Sequence, residues 1–420
     1  MKKKINHILP ALVLTASLGL TTVSCNGFLD EMPDNRTELN TDQKIAKLLV
    51  SAYADVSPNE LFELYSDNSD DSGPTYGYYK LSEQECYHWQ DTKEEYQDTP
   101  NSLWGGYYSA IAAANMALDA IEEKGNPASL DPQRGEALVC RAYCHFMLAN
   151  IFCNAYDTHA SQSLGVPYME EVETTVSPRY ERGTLEEVYR KVERDLLEGI
   201  DLISDDSYSV PKYHFTRKAA YAFAARFYLY YMKPDFSNCD RVIDFATRVL
   251  GTNPADLLRN WEALGNLSVN GNVQADAYIA SSNEANLLIS STVSNWGAIG
   301  SDYLIGPRYF HNQTLATSET CLSSGLWGSS DYFYLKPFST NGFVASILRK
   351  SGLYEGTYLY YMPVLFSTDE TLLCRAEAYA LKKMYAQSAA DITSWQRAYT
   401  RNKSVLTPEQ INTYYDRMSF

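Results

Sequence analysis

Basic clusters are almost missing from this sequence. Its 420 residues carry a formal charge of −17, and Lys and Arg gather only at Lys2, Lys3 and Lys4. A phosphate backbone therefore finds no electrostatic footprint, and nucleic acid is excluded as a partner. Histidine is scarce at six residues, and no Cys or His pair has the spacing of a zinc site. Catalytic signatures are absent too: there is no G-x-S-x-G, H-E-x-x-H, P-loop or G-x-G-x-x-G. Carboxylate pairs for glycoside hydrolysis carry little information, because 52 acidic residues guarantee some pairs by chance.

Long apolar runs are also lacking. The one candidate, Ile8 to Leu20, is interrupted by Pro10, Thr15, Ser17 and Gly19 and falls short of the ~20 residues that span a bilayer. It follows the three lysines and precedes the small residues Thr21, Thr22, Val23 and Ser24, which is the layout of a secretory signal. Cys25 comes next, so residues 1–24 resemble a bacterial lipoprotein signal, with Cys25 the acylated residue and new N-terminus. Their removal takes away three lysines and no acid, leaving the mature chain still more acidic. Asp30 and Glu31 resemble the acidic residues that Bacteroidota lipoproteins carry behind the lipidated Cys, a resemblance that implies surface export. Seven cysteines then remain, an odd number, and Cys140, Cys144, Cys153 and Cys374 sit in apolar helical stretches; no disulfide framework is expected.

What is abundant is tyrosine, 34 residues, within a 45% hydrophobic composition. Tyr joins a flat apolar face to a polar tip, which suits both helix packing and sugar rings. Residues 25–41 read as a lipidated start and polar tether, and helical patterning begins near Asp42. Residues 65–100 are a long polar excursion of the kind that is functional or disordered. A helical face returns as Trp104, Tyr108, Ile111, Asn115 and Leu118. From Glu136 to Asn154 only five of 19 residues are polar, which predicts a helix buried on most sides, with His145 a core residue. Thr184 and Glu187 form a capping box ahead of an apolar stripe at Leu185, Val188, Tyr189, Val192, Leu196, Ile200 and Ile203. An Ala-rich helix over Thr216–Met232 pairs with Val242–Leu250, and a last pair is seeded by Leu372, Ala376 and Tyr379 and by Tyr385, Ala389, Ile392 and Trp395. These pairs resemble tetratricopeptide units. Over 260–351 the period vanishes and Gly, Ser, Asn, Trp and Tyr dominate.

The fold expected is thus mainly all-α: a helical part over 42–259, an irregular ligand-binding lobe over 260–351, and a C-terminal helical pair over 352–420. Aromatics in non-periodic surroundings are the ligand candidates, namely Trp89, Trp296 and Trp327. Tyr76, Tyr79, Asn295, Asp302, Tyr303 and Tyr309 are their candidate neighbours. Trp104 and Trp395 fall on helical faces and read as core. Asp67-Asn68-Ser69-Asp70-Asp71 does not match the spacing of a Ca²⁺ loop and reads as a solvated loop, so neither metal nor cofactor is expected.

The order of Cys25-x2-Phe28-Leu29-Asp30, Trp104-x3-Tyr108-x2-Ile111-x3-Asn115, Arg182-x-Thr184-x2-Glu187-x-Tyr189 and Leu373-x-Arg375-Ala376-Glu377-Ala378-Tyr379 resembles the SusD/RagB family over nearly the whole mature chain. That resemblance implies an α-helical, surface-exposed outer-membrane lipoprotein that is no enzyme. It implies capture of a glycan for a SusC-like TonB-dependent transporter; a peptide-capturing RagB-like binder, a surface glycoside hydrolase and an adhesive surface protein are the alternatives. Members continue past a Trp395-like helix into an Arg-rich helix and a Glu-Gly-x-Arg motif. This sequence reaches Phe420 without either, so it reads as truncated or as a short variant.

Overall fold

A computed structural model describes residues 39–67, 69–71, 73–75, 80–95, 97–175, 178–268, 273–296, 308–310, 326, 332–335, 353–355 and 358–416. Cys25 lies outside them, as do Tyr76, Tyr79, Asp302, Tyr303 and Trp327. Everything that follows concerns the unit Thr41–Phe420. Thirteen α-helices are found among the described residues.

Short helices α1 (Asp42–Leu48), α2 (Asn59–Leu64) and α3 (Leu81–Tyr87) precede the scaffold proper. Helix α4 (Pro100–Glu123) starts with Pro100 in its first turn and with the Thr99 hydroxyl accepting from Ser102 N at 3.4 Å, the combination that suits a helix N-terminus. It packs on α5 (Asp131–Phe152), and α5 packs on α6 (Leu185–Leu202). Every residue of α5 from Gly135 to Ala149 is buried, as its near-continuous apolar sequence requires. The capping box of α6 is present, with Glu187 N donating to Thr184 Oγ1 and Thr184 N to Glu187 Oε2. All seven residues of its stripe are buried. Where α5 and α6 cross, Gly135 faces Gly199: a Cβ on either would lie 2.8 Å from the other's carbonyl oxygen. Only glycine on both sides allows that approach.

Ala-rich α7 (Arg217–Tyr230) packs on α8 (Cys239–Leu250). The next helix of the stack, α11 (Thr368–Leu381), comes only after more than a hundred intervening residues; it packs on α8 and on α12 (Tyr385–Tyr399), and α13 (Pro408–Tyr415) follows. The segment between α8 and α11 is therefore inserted into a helical stack. Its described parts are α9 (Trp261–Gly265), α10 (Val273–Ile279) and small antiparallel sheets. Strand β2 (Asn286–Ile289) pairs with β7 (Val364–Ser367); β3 (Thr292–Val293) pairs with β6 (Tyr358–Tyr361), which pairs with β5 (Leu353–Glu355). All four positions of β2 are buried, so this strand closes over the stack. An aromatic cluster fills the seam, with Tyr143 ring-to-ring 5.4 Å from Phe223 and 5.7 Å from Phe366, both edge-on.

Buried charges in the stack are paired. Arg141 Nε donates to Asp195 at 2.6 Å and its Nη1 to Asn115 at 3.0 Å, and Tyr168 donates to the same Asp195 oxygen at 2.7 Å. Tyr168 stacks on His145 at 3.8 Å. Met169 N donates to His145 Nε2 while Nδ1 faces the Arg141 carbonyl, which fixes a neutral Nδ1–H tautomer. Burial pushes this imidazole down to about 3, so His145 is a satisfied core residue that pins the strap 165–172.

Three expectations change. Residues 260–351 hold two short helices, Leu353–Glu355, Tyr358–Tyr361 and Val364–Ser367 are strands rather than part of a helical pair, and the excursion 65–100 contains α3. Helices of five and seven residues are too short to display a period, and α3 buries Glu83 and Glu85, so its inward face is polar and gives no amphipathic signal. Trp104, expected in the core, is 37% exposed and caps the edge of its face against Tyr108 and Phe152.

Candidate ligand-binding site

Helix α3 ends in a manner its sequence does not favour. Its C-cap is His88; Trp89 N donates to Cys86 O at 2.9 Å and Gln90 N to Glu85 O at 2.8 Å. These are the paired bonds of a Schellman termination, whose next position is left-handed and normally glycine. Here that position is Trp89, with φ 56°. A bulky side chain there costs roughly 1–2 kcal/mol. Trp89 is nevertheless 74% exposed, so little of its own burial offsets the strain.

The indole meets Tyr65, just past the end of α2, at 4.8 Å between centroids with a 49° tilt. Beside it, Tyr87 stacks on Tyr309 at 4.7 Å and His88 stands edge-on to the same ring. Tyr309 belongs to β4 (Tyr309–Phe310), which pairs with β1 (Asp70–Asp71). Arg308 seals that pairing. Its Nε and Nη2 donate to the two Asp71 oxygens at 2.7 and 2.8 Å, and its guanidinium lies 4.9 Å from the Tyr309 ring centre. The Arg308 hydrogen bonds hold the Asp71 carboxyl below its ordinary range. Residues 67–71, expected as a solvated loop, thus supply a strand and an ion pair. Among the described residues no cluster of three or more Asp, Glu, His or Cys is arranged to hold a metal ion.

Beneath this face the module is acidic. Glu60, Glu83, Glu85 and Asp98 are all buried. Lys80 Nζ stands 4.0 Å from Glu60, and Lys93 Nζ stands 3.2 Å from Glu85. Burial raises the carboxyls of Glu60, Glu83 and Asp98 above their ordinary values, and repulsion from neighbouring carboxylates adds to it for Glu60 and Glu83. Asp98, itself left-handed at φ 68°, accepts from Asn295 N at 2.7 Å, and Gln97 donates to the Asn295 side chain at 3.2 Å. This is how the inserted segment is joined to the module.

Of the predicted residues, then, Trp89 is presented to solvent. Asn295, Trp296 and Tyr309 are interior, at 8%, 8% and 2% exposure, where they join or support the face. Tyr65, His88 and Arg308 were not singled out in the sequence, and Asp71 was named there only within a stretch read as a solvated loop. The signal for Tyr65 was an aromatic directly after a helical stretch in a polar region; Arg308 offered none. No helix among the described residues is long and apolar enough to cross a membrane.

Residues 27–229 match the SusD-like family described as starch-binding and associating with the outer membrane. No curated protein matches the sequence. Among solved structures, the chain is similar to a SusD superfamily protein from Bacteroides fragilis (16% identity, TM-score 0.62, covering 90% of this chain and 86% of that one). It is similar to a SusD-like carbohydrate binding protein from Bacteroides vulgatus (14%, 0.63, 89% and 78%) and to surface glycan-binding protein A from Bacteroides uniformis (15%, 0.61, 89% and 84%). At such identities the structures establish the fold. That fold extends over about nine-tenths of the chain, and the family match covers residues 27–229 within it.

Proposed function

We propose that this chain is a surface-exposed glycan-binding lipoprotein, anchored in the outer membrane through acylated Cys25, that captures polymer for a SusC-like TonB-dependent transporter and catalyses nothing. The observation that carries the reading is Trp89: a large aromatic held in glycine's backbone position and left in solvent is hard to account for by stability. A flat indole beside a tilted Tyr65 suits the C–H face of a sugar ring, and strain of this sort concentrates at ligand sites. Trp327, Tyr76, Tyr79, Asp302 and Tyr303 are proposed to complete the contact. The basic start, apolar run and Cys25 support the lipid anchor, and the family's description supports the outer membrane and the glycan. Neither metal nor cofactor is part of the proposal.

The test exploits the strain. Trp89→Gly should stabilise the protein by roughly 1 kcal/mol, because glycine adopts the left-handed region freely. The same variant should lose most of its retardation in native gels containing the bound polysaccharide. The wild type should release no reducing ends from that polymer. Unchanged retardation in Trp89→Gly would remove Trp89 from the site, and steady product release would overturn the binding-only reading.

A further inference from the structure

A second space lies elsewhere, in the seam between the helical stack and the sheet that covers it. It is a cavity of about 350 Å³ bounded by α4, α5 and α7 on one side and by β3, β6 and β7 on the other. Neither Tyr65, Trp89 nor Arg308 lines it. That volume lies at the lower end of the usual range for ligand pockets and corresponds to roughly a dozen waters at ~30 Å³ each. It is room for one sugar ring.

The lining is aromatic and hydroxylated without free charge. Rings of Tyr53, Tyr278 and Tyr361 form walls, and Tyr107, Tyr143 and Ser290 border the space. These last three are buried, at 2%, 7% and 7% exposure, yet their hydroxyls have no hydrogen-bond partner among the described residues. Bordering the cavity, these hydroxyls can bond whatever fills it. Among the described residues the one cation in the lining, Arg226, is already used: it donates to Glu370 Oε2 and to Leu365 O, each at 2.6 Å. From α2, Phe62, 43% exposed, and Asn59, which donates to the Tyr361 hydroxyl at 3.2 Å, also line the space.

We infer that this cavity is an internal site for one small neutral polyhydroxylated molecule, a single sugar unit or a cyclic polyol, distinct from the face that meets the polymer. Three hydroxyls lacking partners would bond its hydroxyls, and the tyrosine rings would take its C–H faces. With Arg226 neutralised, an anion gains nothing there. Occupancy would also brace the sheet against the stack, since ligand groups would join α4 and α5 to the turn after β2.

The test is a crystal of the mature chain soaked separately with D-glucose, D-galactose and myo-inositol, with D-glucuronate as the anionic control, alongside thermal melting with each probe. At least one neutral probe is expected in the cavity, within hydrogen-bond distance of the Tyr143 hydroxyl, with a raised Tm. Tyr107→Phe together with Tyr143→Phe removes only hydroxyls that lack protein partners, so the variant folds, and it should weaken that probe roughly tenfold. Trp89→Gly should leave the probe's affinity unchanged, so the failure of this site and the failure of the surface site are read separately. Three outcomes overturn the inference: water alone in the cavity with all neutral probes, equal binding of glucuronate, or loss through Trp89→Gly and not through the Phe pair.

Discussion

The helical stack and the aromatic module treat buried charge in opposite ways. In the stack, Arg141 meets Asp195, Arg375 meets Asp391 through two bonds of 2.8 Å, and Arg226 meets Glu370. In the module, Glu60, Glu83 and Asp98 crowd around Lys80; left-handed non-glycine residues occur in both, at Trp89 and Asp98 here and at Asn126, Phe236 and Lys383 in turns of the stack. A pairing that satisfies every ion locks one geometry, whereas surplus carboxylates lower local stability. The difference teaches where this protein spends rigidity: the stack is the fixed part, and the face that carries Trp89 is held more weakly than its burial suggests.

The largest effect should come from breaking a stack pair. Arg375→Ala leaves Asp391 buried without its partner and should cost about 3–5 kcal/mol, while Arg375→Met with Asp391→Leu should recover much of the loss. Chemical denaturation of both variants checks this. A cost below about 1 kcal/mol for Arg375→Ala would erase the contrast between the two regions. Next in size is Gly199→Ala. Its methyl would press on the Gly135 carbonyl and on Val139, and the expected cost is about 1–3 kcal/mol from separating α5 and α6. A neutral Gly199→Ala would show that the crossing can slide.

Legibility in the sequence follows the same divide. Helix α6 could be read residue by residue, because a capping box and an 18-residue amphipathic stripe are local signals. The β2–β7 pairing could not, since four-residue strands were to be matched across more than seventy positions and both lie in apolar company. Trp89 and Trp296 were read alike from non-periodic neighbours, yet one is exposed and the other buried; composition does not say which way a side chain turns. The left-handed site at Trp89 was hidden because its usual marker, glycine, is the residue it replaces. Arg308 and Asp71 find each other only through tertiary structure.

The smallest effect is also the one that probes the module most directly. Glu60, Glu83 and Asp98 have folded pKa values above their unfolded ones, so between those values the native state holds more protons than the unfolded chain. Their contribution to stability is therefore complete below the ordinary carboxylate range near pH 4 and is lost as pH rises through the raised values. Facing these groups are Lys80, which favours their charged forms, Glu94, which opposes that of Glu83, and the backbone N–H of Asn295, which favours that of Asp98. Elsewhere Glu170, held low by Lys191 and Arg194, works with the opposite sign, so a global melting curve would blur the result. Amide exchange over residues 80–98 isolates it. Protection there should increase on going from about pH 8 to about pH 5 after correction for intrinsic exchange, and Glu60→Gln should flatten the trend and gain up to about 1 kcal/mol at the higher pH. Protection that is flat across that range, or falls on acidification, would mean that these carboxylates are solvated in solution and that the module is no weaker than the stack.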